Sequence, residues 1–182
     1  MAGVLVLNQP GIQLYDANGD PVYLSSPITD VLSGRFFSFG YEGNSSSTEA
    51  AFVLFRNPAL SGKDFVIYRL LLDTMSKNQS CIMRIYAVPT IGAVGTAISV
   101  GSRKLKGVPP TSSALAYSGS TITSFGTKAL VLSTGIGNQT MIDHVDQTVL
   151  VGPGFDLLMT AQSTANNALI SISAAWAEIT SS

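Results

Sequence analysis

The single histidine of the sequence, His144, stands close to two carboxylates, Asp143 and Asp146. A histidine with an acidic partner and a serine is the constellation of a Ser-His-Asp hydrolase. However, the sequence has no Gly-x-Ser-x-Gly elbow to present a nucleophilic serine. Carboxylates one and two residues away along the chain do not define a triad. We therefore interpret His144 as a turn residue and predict that the protein has no catalytic residues and is not an enzyme.

A possible metal site is the stretch that contains Asp16, Asn18 and Asp20, whose oxygen side chains alternate as at the start of a calcium-binding loop. In an EF-hand the sixth position is Gly and the twelfth is a bidentate Glu, but here they are Pro21 and Pro27. A looser surface calcium site stays open, and a hairpin turn explains the same residues. One histidine and one cysteine cannot supply a zinc site. We predict no bound metal.

Phosphate-binding loops are not supported. Gly135-Ile136-Gly137 lacks the third glycine of a dinucleotide site, and Gly126-Thr127-Lys128 lacks the upstream glycine of a P-loop. The only basic cluster is Arg103, Lys104 and Lys106, which is typical of a solvated loop, with an anion site as the alternative. A net charge of −1 gives no electrostatic support for nucleic-acid binding. We predict no cofactor and no nucleic-acid partner.

The composition excludes several classes of protein. Charged residues make up 12% of the chain, against about 25% in a typical domain, and hydrophobic residues make up 46%, so the chain is not intrinsically disordered. The longest uninterrupted apolar run, Ala50–Phe55, is too short for a spanning helix, which needs about 20 residues. The N-terminus lacks the basic residues of a signal peptide. These features predict synthesis in the cytoplasm without a signal peptide and no membrane insertion.

Hydrophobic residues recur mostly with a period of two, which indicates strands. In residues 155 to 164 and 168 to 176 apolar side chains alternate with polar ones, and Ala165-Asn166-Asn167 between them reads as a hairpin turn. Many short strands separated by turn residues favour an all-β, antiparallel, jelly-roll-like sandwich. We interpret residues 89 to 120 as a long connection. The other predicted strands are Phe36–Glu42, Ala50–Asn57, Phe65–Met75, Ser80–Val88, Thr121–Phe125, Ala129–Ser133 and Thr148–Val151.

The N-terminal region differs from the rest. Residues 12 to 24 read as strand, tight turn, strand, and Gly3–Leu7 is apolar, uncharged and separated from them by Pro10-Gly11. We therefore divide the chain into an N-terminal arm and hairpin, residues 1 to 24, and a β-sandwich domain, residues 25 to 182. The arm is predicted to pack on another subunit; the alternative is a first strand of its own sandwich. The predicted assembly interface consists of Val4, Leu5, Val6, Leu7, Ile12 and Leu14.

Three predicted strand segments are apolar on both faces, namely Ala50–Phe55, Phe65–Leu72 and Ser80–Val88. In Phe65–Leu72, Phe65 and Ile67 lie on one face of the strand, and Val66 and Tyr68 lie on the other. In an antiparallel sandwich one face of each sheet is normally exposed to solvent and polar. Apolarity on both faces implies a second buried surface, and symmetry makes another copy of the chain its simplest source. We predict a homo-oligomer.

Three passages carry a resemblance to a known class. They are Leu14–Val22, Phe55–Lys63 followed by Phe65–Arg69, and Val151-Gly152-Pro153-Gly154-Phe155 through Ala175-Trp176-Ala177-Glu178. In style these passages resemble the small jelly-roll virion proteins of tailed bacteriophages, of the decoration, head-fibre or appendage type. The resemblance covers roughly residues 12 to 179.

This resemblance implies a structural virion protein, most often a homotrimer, that contacts other virion proteins such as capsid or tail and needs no catalytic residue. The expected location is then the virion. The alternative function is a carbohydrate- or receptor-binding module on a phage or bacterial appendage, with a host surface glycan as partner. An exposed loop aromatic such as Tyr41 or Tyr117 beside polar side chains would favour that alternative.

Overall fold

The computed structural model describes residues 14–15, 21–22, 34–76, 79–104, 107–134, 142–144 and 149–181, and these residues contain strands and no helix. In chain order the strands are β1 (Leu14–Tyr15), β2 (Pro21–Val22), β3 (Phe36–Ser45), β4 (Ala50–Arg56), β5 (Lys63–Thr74), β6 (Cys81–Ala87), β7 (Thr90–Ala93), β8 (Thr96–Ile98), β9 (Gly101–Ser102), β10 (Leu115–Ser118), β11 (Thr121–Ser124), β12 (Thr127–Ser133), β13 (Ile142–His144), β14 (Val149–Val151), β15 (Asp156–Ser163) and β16 (Ala168–Thr180).

Most strands belong to two large antiparallel sheets. Sheet I has the order β12-β6-β15-β4-β10-β8, and sheet II has the order β13-β5-β16-β3-β9, with β14 also paired to β5. One buried apolar cluster draws side chains from both sheets, so the sheets face each other across a common core. The prediction of an all-β antiparallel sandwich is confirmed. Nine predicted strands coincide with observed ones, from β3 to β6, at β11 and β12, and from β14 to β16.

The long strands pair in a nested order. The first long strand, β3, pairs with the last, β16, over ten residue pairs from Phe36↔Ala177 to Ser45↔Ala168. Inside that pair, β4 pairs with β15, then β5 with β13 and β14, and finally β6 with β12. Successive pairs fall alternately in sheet II and sheet I. The first and second halves of the chain therefore pair strand by strand, and successive pairs lie on opposite sides of the common core.

The centre of the core is Trp176, which has no exposed surface. Its ring lies 4.8 Å from that of Phe55, and the rings of Phe37, Phe39 and Phe65 lie within 6.5 Å. Alternation along β16 brings these groups together, because every second residue of a strand points to the same face. The predicted apolar face of the last strand, which ends at Trp176, is confirmed.

A second apolar cluster lies on the opposite side of sheet II. Phe36, Val66, Tyr68, Ala175 and Ala177 form this cluster, and each is at most 5% exposed within the single chain. An irregularity in the pairing of β5 with β16 places an extra residue beside the step from Ala175 to Trp176. At these positions the chain itself supplies the second buried surface. The sequence inference that Val66 and Tyr68 need a partner copy for burial is therefore corrected, while the oligomer stays a prediction.

Two further predictions are corrected. Residues 89 to 120 are not a plain connection, because they contain β7, β8, β9 and β10, which extend the edges of both sheets or form the two-stranded β7–β11 ribbon. His144 is not a turn residue, because its backbone belongs to β13 and pairs with Leu70. Both errors involve strands of two to four residues, which are too short to show alternation.

The N-terminal hairpin is seen at its paired residues. Leu14 pairs with Val22 and Tyr15 with Pro21, antiparallel. This agrees with the predicted strand, turn, strand. The predicted arm, Gly3–Leu7, and the turn residues of the hairpin lie outside the described residues.

Candidate interaction surfaces

The described residues do not assemble a metal centre. No group of three or more His, Cys, Asp or Glu side chains that could hold a metal ion occurs in this part of the chain. The stretch from Asp16 to Asp20 and Asp146 lie outside it. Cys81 is fully buried, and burial raises the pKa of its thiol to about 11. A buried neutral thiol is a poor nucleophile.

The predicted assembly residues are mostly outside the described part of the chain. Val4, Leu5, Val6, Leu7 and Ile12 lie there, and of Leu14 only the backbone pairing with Val22 is described. That these residues form an assembly interface stays a prediction. A surface candidate must therefore be built from the sandwich itself.

Three exposed apolar side chains lie at one end of the sandwich and are called the apolar end below. They are Leu60, which is 100% exposed, Val88, at 60%, and Phe155, at 53%. Isolated exposed apolar residues are ordinary on a protein surface, but a group of them indicates a contact surface.

Backbone hydrogen bonds join the loops of the apolar end. The N–H of Asn57 donates to the carbonyl of Phe155 at 3.0 Å, and the N–H of Val88 donates to the carbonyl of Asp156 at 3.1 Å. Leu60 lies in the turn closed by the bond from Ser61 N–H to the carbonyl of Pro58. The three apolar side chains therefore extend from loops that continue β4, β6 and β15, which are neighbours in sheet I.

Asn57 is the centre of the frame beneath the apolar end. It is fully buried, and its side-chain Nδ2 donates to the carbonyls of Lys63 and Val151, both at 2.7 Å. Its backbone carbonyl also accepts from the N–H of Gly154 at 2.9 Å. One side chain thus ties together a loop of sheet I and two strands of sheet II.

A buried carboxylate completes this frame. The side chain of Glu178 has no exposed surface, and its Oε2 lies 2.9 Å from Nζ of Lys63. Its Oε1 accepts from the hydroxyl of Ser112 and from the N–H of Ser113. A buried charge persists only when it is paired and hydrogen-bonded. The contacts of Glu178 satisfy this condition and fix the segment before β10 to the end of β16.

An ion pair between Arg56 and Asp156 lies at the rim of the apolar end. Arg56 donates from Nε and Nη2 to both carboxylate oxygens of Asp156, at 2.9 and 3.0 Å. The hydrogen bond to Asp156 raises the pKa of the Arg56 guanidinium. A bidentate pair of this kind fixes both side chains. This pair therefore adds little net charge to the rim.

Val88 adopts an unusual backbone conformation. Its φ is +56°, in the left-handed region that β-branched residues rarely enter. Gly126, with φ +85°, packs behind it, and a Cβ on this glycine would lie 2.6 Å from the carbonyl oxygen of Val88. The close approach of Gly126 holds the Val88 loop in place.

A second surface, called the edge groove below, lies at the side of the sandwich where β8 and β9 run along the edges of the two sheets. Its cavity volume is about 460 Å³. The lining residues carry no charge, and they are Ala97, Ile98, Val100, Gly101, Ser102, Pro109, Pro110, Thr111, Ser112, Ala114, Leu115, Ala116 and Tyr117.

A polar cluster on the outer face of sheet I is bonded within itself. Glu49 accepts from the hydroxyls of Tyr86 and Thr160 at 2.8 and 2.6 Å and pairs with Arg84 at 3.1 Å. Arg84 also donates to Gln162. Burial, followed by the bond to Glu49, raises the pKa of Tyr86. Since each of these groups is already partnered, the cluster stabilises the sheet.

The sequence reasoning missed the apolar end. The available signal was Leu60, an apolar residue in the middle of the turn sequence Asn57-Pro58-Ala59-Leu60-Ser61-Gly62. Turn residues are usually polar, so a leucine in this position is unusual.

Comparisons with known proteins do not assign a family. The chain matches no family model, and a search of curated proteins returns no match either. Among the described residues, no helix is long and apolar enough to cross a membrane.

Proposed function

We propose that this protein is a structural assembly module that buries the apolar end against further copies of itself, forming a homo-oligomer, which the resemblance suggests is a trimer. The observation that carries the proposal is the exposure of Leu60, Val88 and Phe155 above a frame of buried hydrogen bonds. A surface that binds tightly needs apolar side chains that are already fixed, because ordering loops on association costs free energy. The Asn57 and Glu178 contacts meet that need.

The size of the effect is of the order that assembly needs. Fully burying a Leu, Val or Phe side chain contributes about 1.5–3 kcal/mol, so three contribute at most about 4.5–9 kcal/mol per copy. This upper limit, repeated in each copy by symmetry, compares with about 8 kcal/mol for the net free energy of a micromolar complex and must also offset the entropy lost on association.

The finer proposal is a virion component of a tailed phage with a jelly-roll fold, located on the particle and in contact with capsid or tail. Its support is the nested strand order, β3 with β16, β4 with β15, β5 with β14 and β6 with β12. That order is the one expected of a jelly roll, which is also the fold of the proteins that the sequence resembles. Because jelly rolls serve many functions, the particle location rests on the resemblance.

The experiment compares the mass in solution of four chains by light scattering. We expect the unchanged protein to be an oligomer, and Leu60→Asp and Phe155→Asp to shift it towards 19 kDa without loss of the folded state. Met75→Asp is the matched control, because Met75 is also exposed but lies at the other end of β5. An unchanged protein that is a stable monomer, or an oligomer insensitive to both substitutions, contradicts the proposal.

The glycan-binding alternative receives little support from its two tyrosines. Tyr41 is half-buried and packs edge-on against Phe52, with ring centroids 5.1 Å apart. Tyr117 is also half-buried, and it lines the edge groove. The experiment on the groove described below includes glycan binding as an outcome.

A further inference from the structure

The edge groove lies where both sheets end. β8 is the last strand of sheet I and β9 the last of sheet II, and among the described residues no strand pairs with the outer edge of either. Only Ser99 and Val100 separate β8 from β9, so the chain passes from one sheet to the other at this edge. Unpaired strand edges with free N–H and C=O groups readily accept a further strand.

The floor of the groove is made of small side chains. Ala114 and Ala116 are buried there, and Ile98 and Val100 pack against the main core. Elsewhere the core is filled by rings, such as those of Phe55 and Trp176. The groove is therefore an open extension of the core with room for apolar side chains.

The chemistry of the groove favours an uncharged, largely apolar occupant. None of its lining residues is charged. The hydroxyl of Ser112 donates to Glu178 and that of Ser102 accepts from Lys104 N–H, while Thr111 and Tyr117 add two further hydroxyl groups to the lining. An uncharged apolar strand needs only the open strand edges and the cavity, and a sugar held by the remaining hydroxyls is the competing outcome of the test.

One segment of this chain fits that description. Val4-Leu5-Val6-Leu7 is the longest apolar run outside the described residues, and neither it nor Gly3 carries a charge. The chain also reaches the sandwich beside the groove, because a Cβ on Gly34 would lie 3.1 Å from Pro110 Cγ. Twenty-six residues separate Leu7 from Gly34, and they include the paired strands β1 and β2. Residues 8–13 and 23–33, outside that hairpin, have a fully extended length of at most about 56 Å, at about 3.3 Å per residue. This upper limit allows Gly3–Leu7 to leave its own sandwich.

We propose that the edge groove receives Gly3–Leu7 of a neighbouring copy as an added strand, with Val and Leu side chains entering the cavity. The added strand would pair with the open edge of β8 or β9 and extend the core. The exchange rests on the proposed function, because that function supplies the neighbouring copy.

The test is a disulfide cross-link between two different chains. One chain carries a cysteine at Val4, Leu5, Val6 or Leu7 in turn; the other lacks residues 2 to 9 and carries Ala97→Cys in the groove. A cross-link between them forms only if an arm enters a groove of another molecule. Ala93→Cys is the matched control, since Ala93 is an exposed alanine on β7 outside the groove. Cys81 stays in place because it is fully buried.

We expect mild air oxidation to give at least tenfold more mixed disulfide with Ala97→Cys than with Ala93→Cys, and yields that alternate along positions 4 to 7. Alternation is expected because successive side chains of a strand point to opposite faces. A peptide of residues 2 to 9 with a lysine tail should compete with the cross-link.

Three outcomes overturn the proposal. They are equal cross-linking at the two alanine positions, no cross-link at any arm position, and, in an additional full-length chain that carries both an arm cysteine and Ala97→Cys, a cross-link that forms only within that chain. Glycan binding that Ala97→Trp abolishes and that deletion of residues 2 to 9 leaves intact would also overturn it. If the mixed disulfide fails while Leu60→Asp still dissociates the oligomer, the arm proposal is wrong and the proposed function survives.

Discussion

Lys63 and Glu178 form an ion pair 2.9 Å long in which the lysine side chain is 39% exposed and the carboxylate side chain is not exposed at all. Lys63 thus lies between the buried carboxylate of Glu178 and the solvent. The same carboxylate accepts from Ser112 and Ser113, so it joins three segments that are distant in sequence.

We expect Glu178→Ala to lower the free energy of unfolding by about 3 kcal/mol, because removing one member of a buried pair also leaves its partners unsatisfied. Urea denaturation monitored by Trp176 fluorescence measures the change. Glu42→Ala is the control, since Glu42 is exposed on β3 and should change stability by less than about 0.5 kcal/mol. Equal effects of the two substitutions would show that the Glu178 contacts contribute nothing.

The sequence predicted those parts of the fold in which alternation is long enough to be read. β16 has thirteen residues, and its burial alternates from Ala168 to Ala174 with the predicted period of two. The eight residues of β15 form a predicted strand too, but they are buried on both faces from Leu157 to Ala161. In β8 and β9, with three and two residues, no period can be seen, and these strands exist because they pair with β10 and β3. Tertiary pairing outweighs local pattern in such short strands.

The candidate surfaces were harder to predict, because exposure is a property of the fold. The apolarity of Val66 and Leu60 looks alike in sequence, yet Val66 is buried on the outer face of sheet II and Leu60 is fully exposed. Likewise, the edge groove depends on Ala114 and Ala116 facing a gap between sheets. No spacing rule relates an alanine to an unfilled cavity.

Asn57 supports a prediction that links the frame to assembly. Asn57→Ala removes one buried and one partly buried hydrogen bond and leaves the carbonyls of Val151 and Lys63 without this donor. We expect a loss of about 2–3 kcal/mol in the free energy of unfolding and a weaker oligomer, although the substitution touches none of the three apolar side chains.

Thermal denaturation and light scattering on the same samples test this prediction. Asn44→Ala is the control, because Asn44 is exposed on β3, far along the strand from the apolar end. If Asn57→Ala lowers stability yet leaves the oligomer unchanged well below its melting temperature, the frame does not position the contact surface.

Alanine substitutions at two glycines with positive φ compare the stability cost of backbone strain alone with that of strain plus a steric clash. Gly62 has φ +61° and open space where a Cβ would lie, whereas Gly126 has φ +85° and would place a Cβ 2.6 Å from the carbonyl oxygen of Val88. We expect Gly62→Ala to cost about 1 kcal/mol, the usual penalty for left-handed backbone. Gly126→Ala should cost clearly more, because the backbone of the Val88 loop must shift.

Chemical denaturation of both variants gives the comparison. Gly126→Ala should also reduce the tendency to oligomerise, since Val88 belongs to the apolar end, whereas a stable Gly62→Ala protein should keep its oligomeric state if Leu60 is undisturbed. Similar stabilities for the two variants would mean that the loop yields at little cost.

Cys81 makes the stability depend on alkaline pH. Burial raises the pKa of its thiol from 9.0 to about 11, so the unfolded chain releases this proton at a lower pH than the folded chain. Between these two values the folded state holds more protons, and stability therefore falls as pH rises through this range. Between pH 8 and pH 10.5 the ionisation of this thiol in the unfolded chain should lower the free energy of unfolding by about 2 kcal/mol, given 1.36 kcal/mol per pKa unit.

Tyr86, whose pKa is also raised, lowers the stability in the same direction in both the unchanged protein and Cys81→Ala. Urea denaturation across this range should thus show a steeper loss for the unchanged protein than for Cys81→Ala, whatever their difference at pH 8. Parallel pH profiles would show that the thiol ionises in the folded state as readily as in the unfolded chain, which would contradict its complete burial.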